Sequence, residues 1–405
     1  MLTVENDPAA AGLDATRLAR LDARLARWVD GGQLPGFLVT VSRHGDLVHV
    51  GARGHRDVEA GLPVTPDTIW RIYSMTKPVT SVAAMSLYEE GAFELTDPIS
   101  RWLPEFAEPR VYVAGSSARP VTEPATEPIR IWHLLTHTAG LTYGFHHTHP
   151  VDAMYRAAGH EWGTPPGADS AEVSRQWAAL PLVFQPGSEW NYGVSTDVLG
   201  RLVEVVAGKP LDEVFAERVF GPLGMTETSF GLRPDDDPAL LARLYAPGLT
   251  PLAAFEPAAK QKPAFLSGGG GLVSTAGDYL KFVEMLRAGG AAPDGRRVLG
   301  SRTVAHMVRN HIPGGADLET YGRPLFAETP LRGVGFGLGF SMVLDPARYG
   351  TVASVGDYSW GGAASTAFYV DPVEDLVVTF YTQLLPSSTL PIRGYLRSLV
   401  HQALL

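Results

Sequence analysis

Ser74 and Lys77 stand three residues apart in the string RIYSMTKPV, at the point where a helical pattern begins. On a helix, residues at i and i+3 share a face, so the hydroxyl and the ammonium are neighbours. Pro78 then falls in the first turn, where its missing N–H costs little. That sets the helix start close to Ser74 and leaves the serine at the electropositive end. A serine hydroxyl alone is a weak nucleophile, and a desolvated lysine beside it can supply a base. A capping serine followed by a surface lysine gives the same spacing, so the S-x-x-K string needs support from elsewhere in the chain.

Other candidates carry less chemistry. The run Gly268 to Gly271 is not followed by Gly-Lys-Ser/Thr and sits in no dinucleotide fingerprint, which argues against a phosphate cradle and leaves a flexible turn. His146, His147 and His149 cluster with Asp152, but their spacing is not a zinc pattern and no His-Glu-x-x-His occurs. The segment reads as a loop rimming a pocket, and no metal or cofactor is expected. His137 reads as a hydrogen-bonded structural histidine. No Gly-x-Ser-x-Gly elbow is present, which argues against an α/β-hydrolase.

These residues must be positioned by elements at some distance along the chain. Leu18, Leu21, Leu25 and Trp28 recur at helical spacing after Asp14, and Gly31 and Gly32 follow as a stop. GFLVTVSRHGDLVHVGARG reads as a hairpin turning at His44-Gly45-Asp46. Near the other end FGLGFSMVLD, GTVASVG, STAFYVD and LVVTFYTQ read as successive strands, and their short connections favour antiparallel pairing. A last helix is expected from about Pro391 to Leu404. Between the two ends, residues 79–91, 170–180, 196–207 and 211–220 read as helices. The Pro-rich stretches 104–128 and 233–263 and the His/Pro/Gly-rich stretch 144–168 read as loops. The expectation is an α+β protein: an antiparallel sheet built from both chain ends and flanked by helices (residues 1–75 with 265–405), and a mostly helical insertion (76–264).

Composition narrows the function. In 405 residues, 45% hydrophobic content and 19% charge exclude bulk disorder. Acidic residues outnumber basic ones 43 to 33, and no Lys/Arg run occurs, so nucleic acid and anionic lipid are unsuited partners. The absence of cysteine removes disulfides, thiolate metal sites and a cysteine nucleophile. MLTVENDPAAAGLD lacks the basic and apolar stretches of a signal peptide, and no apolar run is long enough to span a bilayer. A cytoplasmic location without membrane attachment is the expectation.

YSMTKP, IWHLLTHTAGL (131–141), QPGSEWNYGVSTDVLG (185–200), GGGGLVSTAGDYLKF (268–282) and SWGG (359–362) occur in this order across nearly the whole chain. Together they resemble the serine β-lactamase and penicillin-binding-protein superfamily, in its family VIII carboxylesterase branch, related to class C β-lactamases. The resemblance implies a β-lactamase-like fold, Ser74 as the acylated serine, Lys77 as its paired lysine, and Tyr192 as the tyrosine that opens a Tyr-x-Asn motif. It implies an oxyanion hole made by the backbone N–H groups of Ser74 and Ala363. The sequence departs from lactamases at two places. Trp360-Gly361-Gly362 stands where they have Lys-Thr-Gly, and Val194 where they have the motif's asparagine. Losing a cation and an amide removes contacts worth ~1.5–3 kcal/mol each, which disfavours β-lactams and favours neutral, short-chain carboxylic esters as small-molecule substrates. β-Lactamase, D-amino-acid peptidase or acyltransferase activity through the same acyl-enzyme is the alternative reading, and a silent penicillin-binding-like module a second. Access for bulky acyl groups would be set by the loops 144–168 and 313–333.

Overall fold

Eight strands form one antiparallel sheet in the computed structural model, which describes residues 2–323 and 331–405. The N-terminal part supplies β1 (Gly36–Arg43), β2 (Asp46–Asp57) and β3 (Leu62–Pro63). The C-terminal part supplies β4 (Val334–Phe336), β5 (Ser341–Val343), β6 (Tyr358–Gly361), β7 (Ala367–Asp371) and β8 (Leu376–Tyr381). The spatial order is β4-β5-β6-β7-β8-β1-β2-β3. The two chain ends therefore meet in mid-sheet, where β1 pairs β8 from Leu38↔Tyr381 to Arg43↔Leu376. The buried Thr40 and Thr379 hydroxyls face each other across that seam at 2.6 Å.

Side-chain alternation sorts the central strands onto two buried faces. Phe37, Val39 and Val41, with Tyr369, Leu376, Val378 and Phe380, pack against helices Ala15–Asp30 and Ile392–His401. Leu38, Phe368, Val370, Val377 and Tyr381 point the other way, into the larger core that holds helices Thr76–Glu89 and Ala276–Arg287. Helix Ala15–Asp30 forms where the spacing predicts. Asp14 caps it by accepting the Arg17 N–H at 3.0 Å, its Leu18, Leu21, Leu25 and Trp28 are buried, and Gly31 ends it. Helix Thr76–Glu89 is buried from Thr76 to Leu87, the state expected of a helix without a polar face.

Several sequence expectations need correction. GTVASVG is a loop, with Val352 and Val355 60% and 62% exposed, because its alternating valines meet no layer that could cover them. The strand in that region is β6, which contains most of the SWGG block. FGLGFSMVLD folds back on itself as β4 and β5, pairing Phe336 with Ser341. The 104–128 stretch contains a hairpin, Arg110–Ser116 with Arg119–Pro124. Its residues are mostly exposed, so it shows no buried period to read. The 144–168 stretch contains helix Pro150–Ala157, capped reciprocally by His149 and Asp152 and anchored by buried Val151 and Tyr155. Residues 324–330 of the 313–333 loop lie outside the described residues.

Candidate active site

Ser74 is delivered by a short strand, Ile69–Arg71, paired antiparallel with Val273–Thr275. The chain then turns sharply: Tyr73 has φ +42°, a left-handed conformation that a bulky residue seldom adopts. A 3₁₀ turn over Tyr73–Met75 leads directly into helix Thr76–Glu89. Thr76 Oγ1 accepts the Leu272 N–H at 3.1 Å, and Tyr279 Oη donates to the Met75 carbonyl at 2.8 Å, so the turn is held from both sides. The half-buried serine thus sits one turn before a rigid helix.

Lys77 is 1% exposed, and its ammonium sits in a ring of acceptors. It donates to the Gly269 carbonyl at 2.6 Å and to Tyr143 Oη at 3.0 Å, and reaches Ser74 Oγ at 3.4 Å. It also lies over the Tyr192 ring, 4.6 Å from its centroid. Behind Gly269 stands Asp197, 6% exposed, which accepts the Gly269 N–H at 2.9 Å and the Ser267 hydroxyl at 2.5 Å. A Cβ on Gly269 would stand 2.7 Å from the Asp197 carboxyl carbon, so the carboxylate and the glycine require each other. The glycine run is therefore more than a flexible turn: its backbone carries the lysine on one side and a carboxylate on the other.

Electrostatics follow from this packing. Burial, then the Asp197 carboxylate and Tyr192, hold the Tyr143 phenol well above its ordinary range, so it stays protonated. Burial raises the Asp197 carboxyl, opposed by the Lys77 charge and by the hydrogen bonds from Ser267 and Gly269. Burial, then the Lys77 charge, holds His137 well below the usual imidazole range, so it is neutral at pH 7. His137 is enclosed by the rings of Trp190, Tyr192 and Phe336, with Nε2 3.4 Å from Thr196 Oγ1.

Tyr192 comes from the segment before helix Ser195–Ala207, where its backbone carbonyl accepts from His146 Nε2 at 2.7 Å. Its hydroxyl is buried and has no hydrogen-bond partner among the described residues. Trp360 on β6 packs against the Tyr192 ring at 5.3 Å. Gly361, next along the strand, has Arg393 against its opposite face, with Cζ 2.6 Å from where a Cβ would lie. At Gly362 a Cβ would run into the Ile72 carbonyl oxygen, two residues before the serine. The glycine is what lets β6 close against the turn that carries Ser74. Ala363 follows in the β6–β7 turn, in a small apolar cluster with Tyr73. Val194 is buried in the large core at the start of helix Ser195–Ala207.

The structure thus brings Ser74, Lys77, Tyr192, Trp360 and the Gly361–Ala363 turn together. Tyr143, Asp197 and Gly269 belong to the same constellation; sequence reasoning singles out neither Tyr143 nor Asp197 and reads Gly269 only as part of a flexible turn. Tyr143 follows the IWHLLTHTAGL block by two residues, the one signal that could have found it. His146, His147 and His149 go to separate partners: Tyr192, Glu161 at 3.2 Å, and a helix cap. Among the described residues no group of three His, Asp or Glu is arranged to hold a metal ion, and no helix is long and apolar enough to cross a membrane.

A mixed fold with a large antiparallel sheet, and a serine–lysine pair opening a buried helix beside the sheet's inner strand, define a β-lactamase-like protein. The Beta-lactamase family model matches residues 21–402, and the chain belongs to that family, in its esterase-like branch. Esterase EstB of Burkholderia gladioli is 34% identical over 412 residues, covering 94% of each chain. The solved structure of EstCE1, a hydrolase with promiscuous acyltransferase activity, superposes with a TM-score of 0.79 at 30% identity over 95% of this chain and 99% of its own. Simvastatin synthase of Aspergillus terreus superposes at 0.77, with 26% identity over 96% and 98%.

Proposed function

We propose that this protein is a serine carboxylesterase that cleaves short-chain esters through an acyl-enzyme on Ser74. The observation that carries this reading is the buried Lys77 ammonium, bonded to Gly269 and Tyr143 and within reach of both Ser74 Oγ and the Tyr192 ring. Ser74 Oγ attacks the ester carbonyl while its proton passes to whichever member of the Lys77–Tyr192 unit is unprotonated in that step, the lysine amine or the tyrosine oxygen. The oxyanion is received by the N–H groups of Ser74 and Ala363, each such donor lowering the barrier by ~3 kcal/mol. Collapse breaks the C–O bond, and the alkoxide leaves with the proton the unit held. Water then attacks the acyl-enzyme by the reverse path. Tyr143, kept as a phenol, is unsuited to act as the base; its part is to hold the ammonium in place. The likeness to EstB and EstCE1 supports ester chemistry in general, and an alcohol replacing water in the second step is the reading that the promiscuous acyltransferase activity of EstCE1 favours next.

Trp360 against Tyr192 gives the site an apolar wall where lactamases place a lysine, which supports neutral esters. After correction for uncatalysed rates, kcat/KM for p-nitrophenyl butyrate should exceed that for nitrocefin by at least ~100-fold, about 2.7 kcal/mol in barrier. A phosphonate ester should give one adduct, on the peptide carrying Ser74. A reversed preference would replace the esterase reading with the lactamase one, and full activity in Ser74→Ala would remove the acyl-enzyme.

A further inference from the structure

From Tyr143 a row of aromatic rings leads out of the site. Tyr143 stacks on Phe145 at 4.7 Å and 18°, and Phe145 stacks on Trp162 at 4.6 Å and 13°. Trp162 meets Phe255 edge-on at 6.3 Å. Phe255 belongs to the apolar cluster that contains Tyr73 and Ala363, the neighbours of the nucleophile and of the oxyanion-hole turn. The row therefore runs from the lysine's hydrogen-bond partner to the surface and bends back toward the serine's turn. Trp162 is 52% exposed although it is held flat by Phe145. An indole fixed in place yet open to water keeps unburied a large apolar surface that a bound ring could cover. One polar pair lies beside it: His147 pairs with Glu161, next to Trp162, at 3.2 Å.

We propose that this row is the subsite for the alcohol portion of the ester, and that it selects uncharged alcohols carrying one or two rings. This rests on the ester-cleaving reading above. The direction of the row assigns the alcohol rather than the acyl group. The departing oxygen must lie within hydrogen-bond reach of the group that returns its proton, and that group is the Lys77–Tyr192 unit. Tyr143 sits 3.0 Å from Lys77 Nζ and heads the row, so the carbon attached to that oxygen emerges against Tyr143 and Phe145, and a ring beyond it reaches Trp162. Glu161 beside the indole disfavours an anionic alcohol. The same wall would receive an attacking ring alcohol if the acyl group were transferred rather than hydrolysed.

The test is Trp162→Ala, a change at an exposed position that removes none of the groups around Lys77. Ethyl, benzyl and 2-naphthylmethyl butyrates share an acyl group and have alcohols of similar leaving ability. In Trp162→Ala, kcat/KM should fall about tenfold for the naphthylmethyl ester and less than about twofold for the ethyl ester. The acyl-length profile of ethyl acetate to ethyl octanoate should keep its shape. Binding of 2-naphthalenemethanol to Ser74→Ala, measured by calorimetry, should weaken by a similar factor in Ser74→Ala/Trp162→Ala. Equal losses on all three butyrates, no loss at all, or a shifted acyl profile would overturn the subsite while leaving the esterase reading intact. Binding that depends on Trp162 in a protein that cleaves none of the esters would support the subsite and refute the esterase reading.

Discussion

Gly362→Ala tests whether the proposed oxyanion hole depends on the closeness of β6 to the serine's turn. The added Cβ would stand 3.2 Å from the Ile72 carbonyl carbon and closer still to its oxygen, whereas ordinary contact begins at 3.4 Å. Thr366 Oγ1 is also in the way but can rotate; the Ile72 carbonyl is backbone, two residues from Ser74, and cannot. Relief requires β6 and the serine's turn to part by something on the order of 1 Å, and a misplacement of that size costs about 100-fold in rate. Ala363, the next residue and a proposed oxyanion donor, moves with the strand, and losing one such donor costs about 100- to 1,000-fold in kcat. The two routes agree on ~2.7 kcal/mol or more of lost transition-state stabilisation. Strain in a packed region adds about 1–3 kcal/mol of destabilisation, so a parallel variant must separate stability from chemistry. Gly350→Ala serves: its φ is +78° and nothing lies within 4 Å of its Cβ position, so it strains the backbone without pushing on any neighbour. Steady-state kinetics on p-nitrophenyl butyrate, with thermal melts of both variants, give the comparison. Gly362→Ala should lose kcat with KM little changed, and Gly350→Ala should lose only stability. A folded Gly362→Ala with more than about a third of wild-type kcat would refute the reasoning, because the donor pair would not depend on that contact.

Two further predictions address the proton machinery and the sheet's far face. Tyr192→Phe deletes a buried hydroxyl that has no partner among the described residues; kcat should fall about 100- to 10,000-fold while the melting temperature holds or rises, and adding Lys77→Met should cost little more, the result expected of a pair proposed to act as one unit. Additive losses would separate the two residues. On the other face, burial pushes the His401 imidazolium down, but its bonds to Asp371 and to the Arg397 carbonyl, with the Asp371 and Asp357 charges, outweigh this and leave it raised. That contribution to stability is fully present below the ordinary value of 6.5 and is lost as pH rises through the raised native value. The urea midpoint of wild type should therefore lose ground to His401→Gln between about pH 6 and pH 9; a constant difference would contradict the shift.

The sheet was legible where burial imposes a period. β1, β7 and β8 are covered on both faces, so they read as apolar runs between turn residues, and helix Ala15–Asp30 shows its single stripe. The errors fall where period and burial part company. GTVASVG has strand-like alternation with no layer to cover it, and the 110–124 hairpin is a true strand pair held by local bonds with few buried side chains. Helix Pro150–Ala157 is two turns long, too short for a repeat, and its start is marked by a histidine–aspartate cap that composition alone presents as a loop.

The site divides along a similar line. Ser74, Lys77, Tyr192 and Trp360 could be named in advance because each occupies a fixed place in a short block, and short blocks survive in one dimension. Phe145 and Trp162 lie on a segment whose composition says only that it is a loop, and their order as a row with Tyr143 exists only once the chain is folded. Asp197 and Gly269 are harder still: what they contribute to Lys77 passes through a peptide group, with the carbonyl facing the ammonium and the N–H facing the carboxylate. No side-chain pattern encodes a peptide used in this way. What the sequence does hold is the glycine, because any larger residue at 269 would collide with Asp197. A glycine that reads as freedom in the sequence is, in the folded chain, the tightest constraint around the lysine.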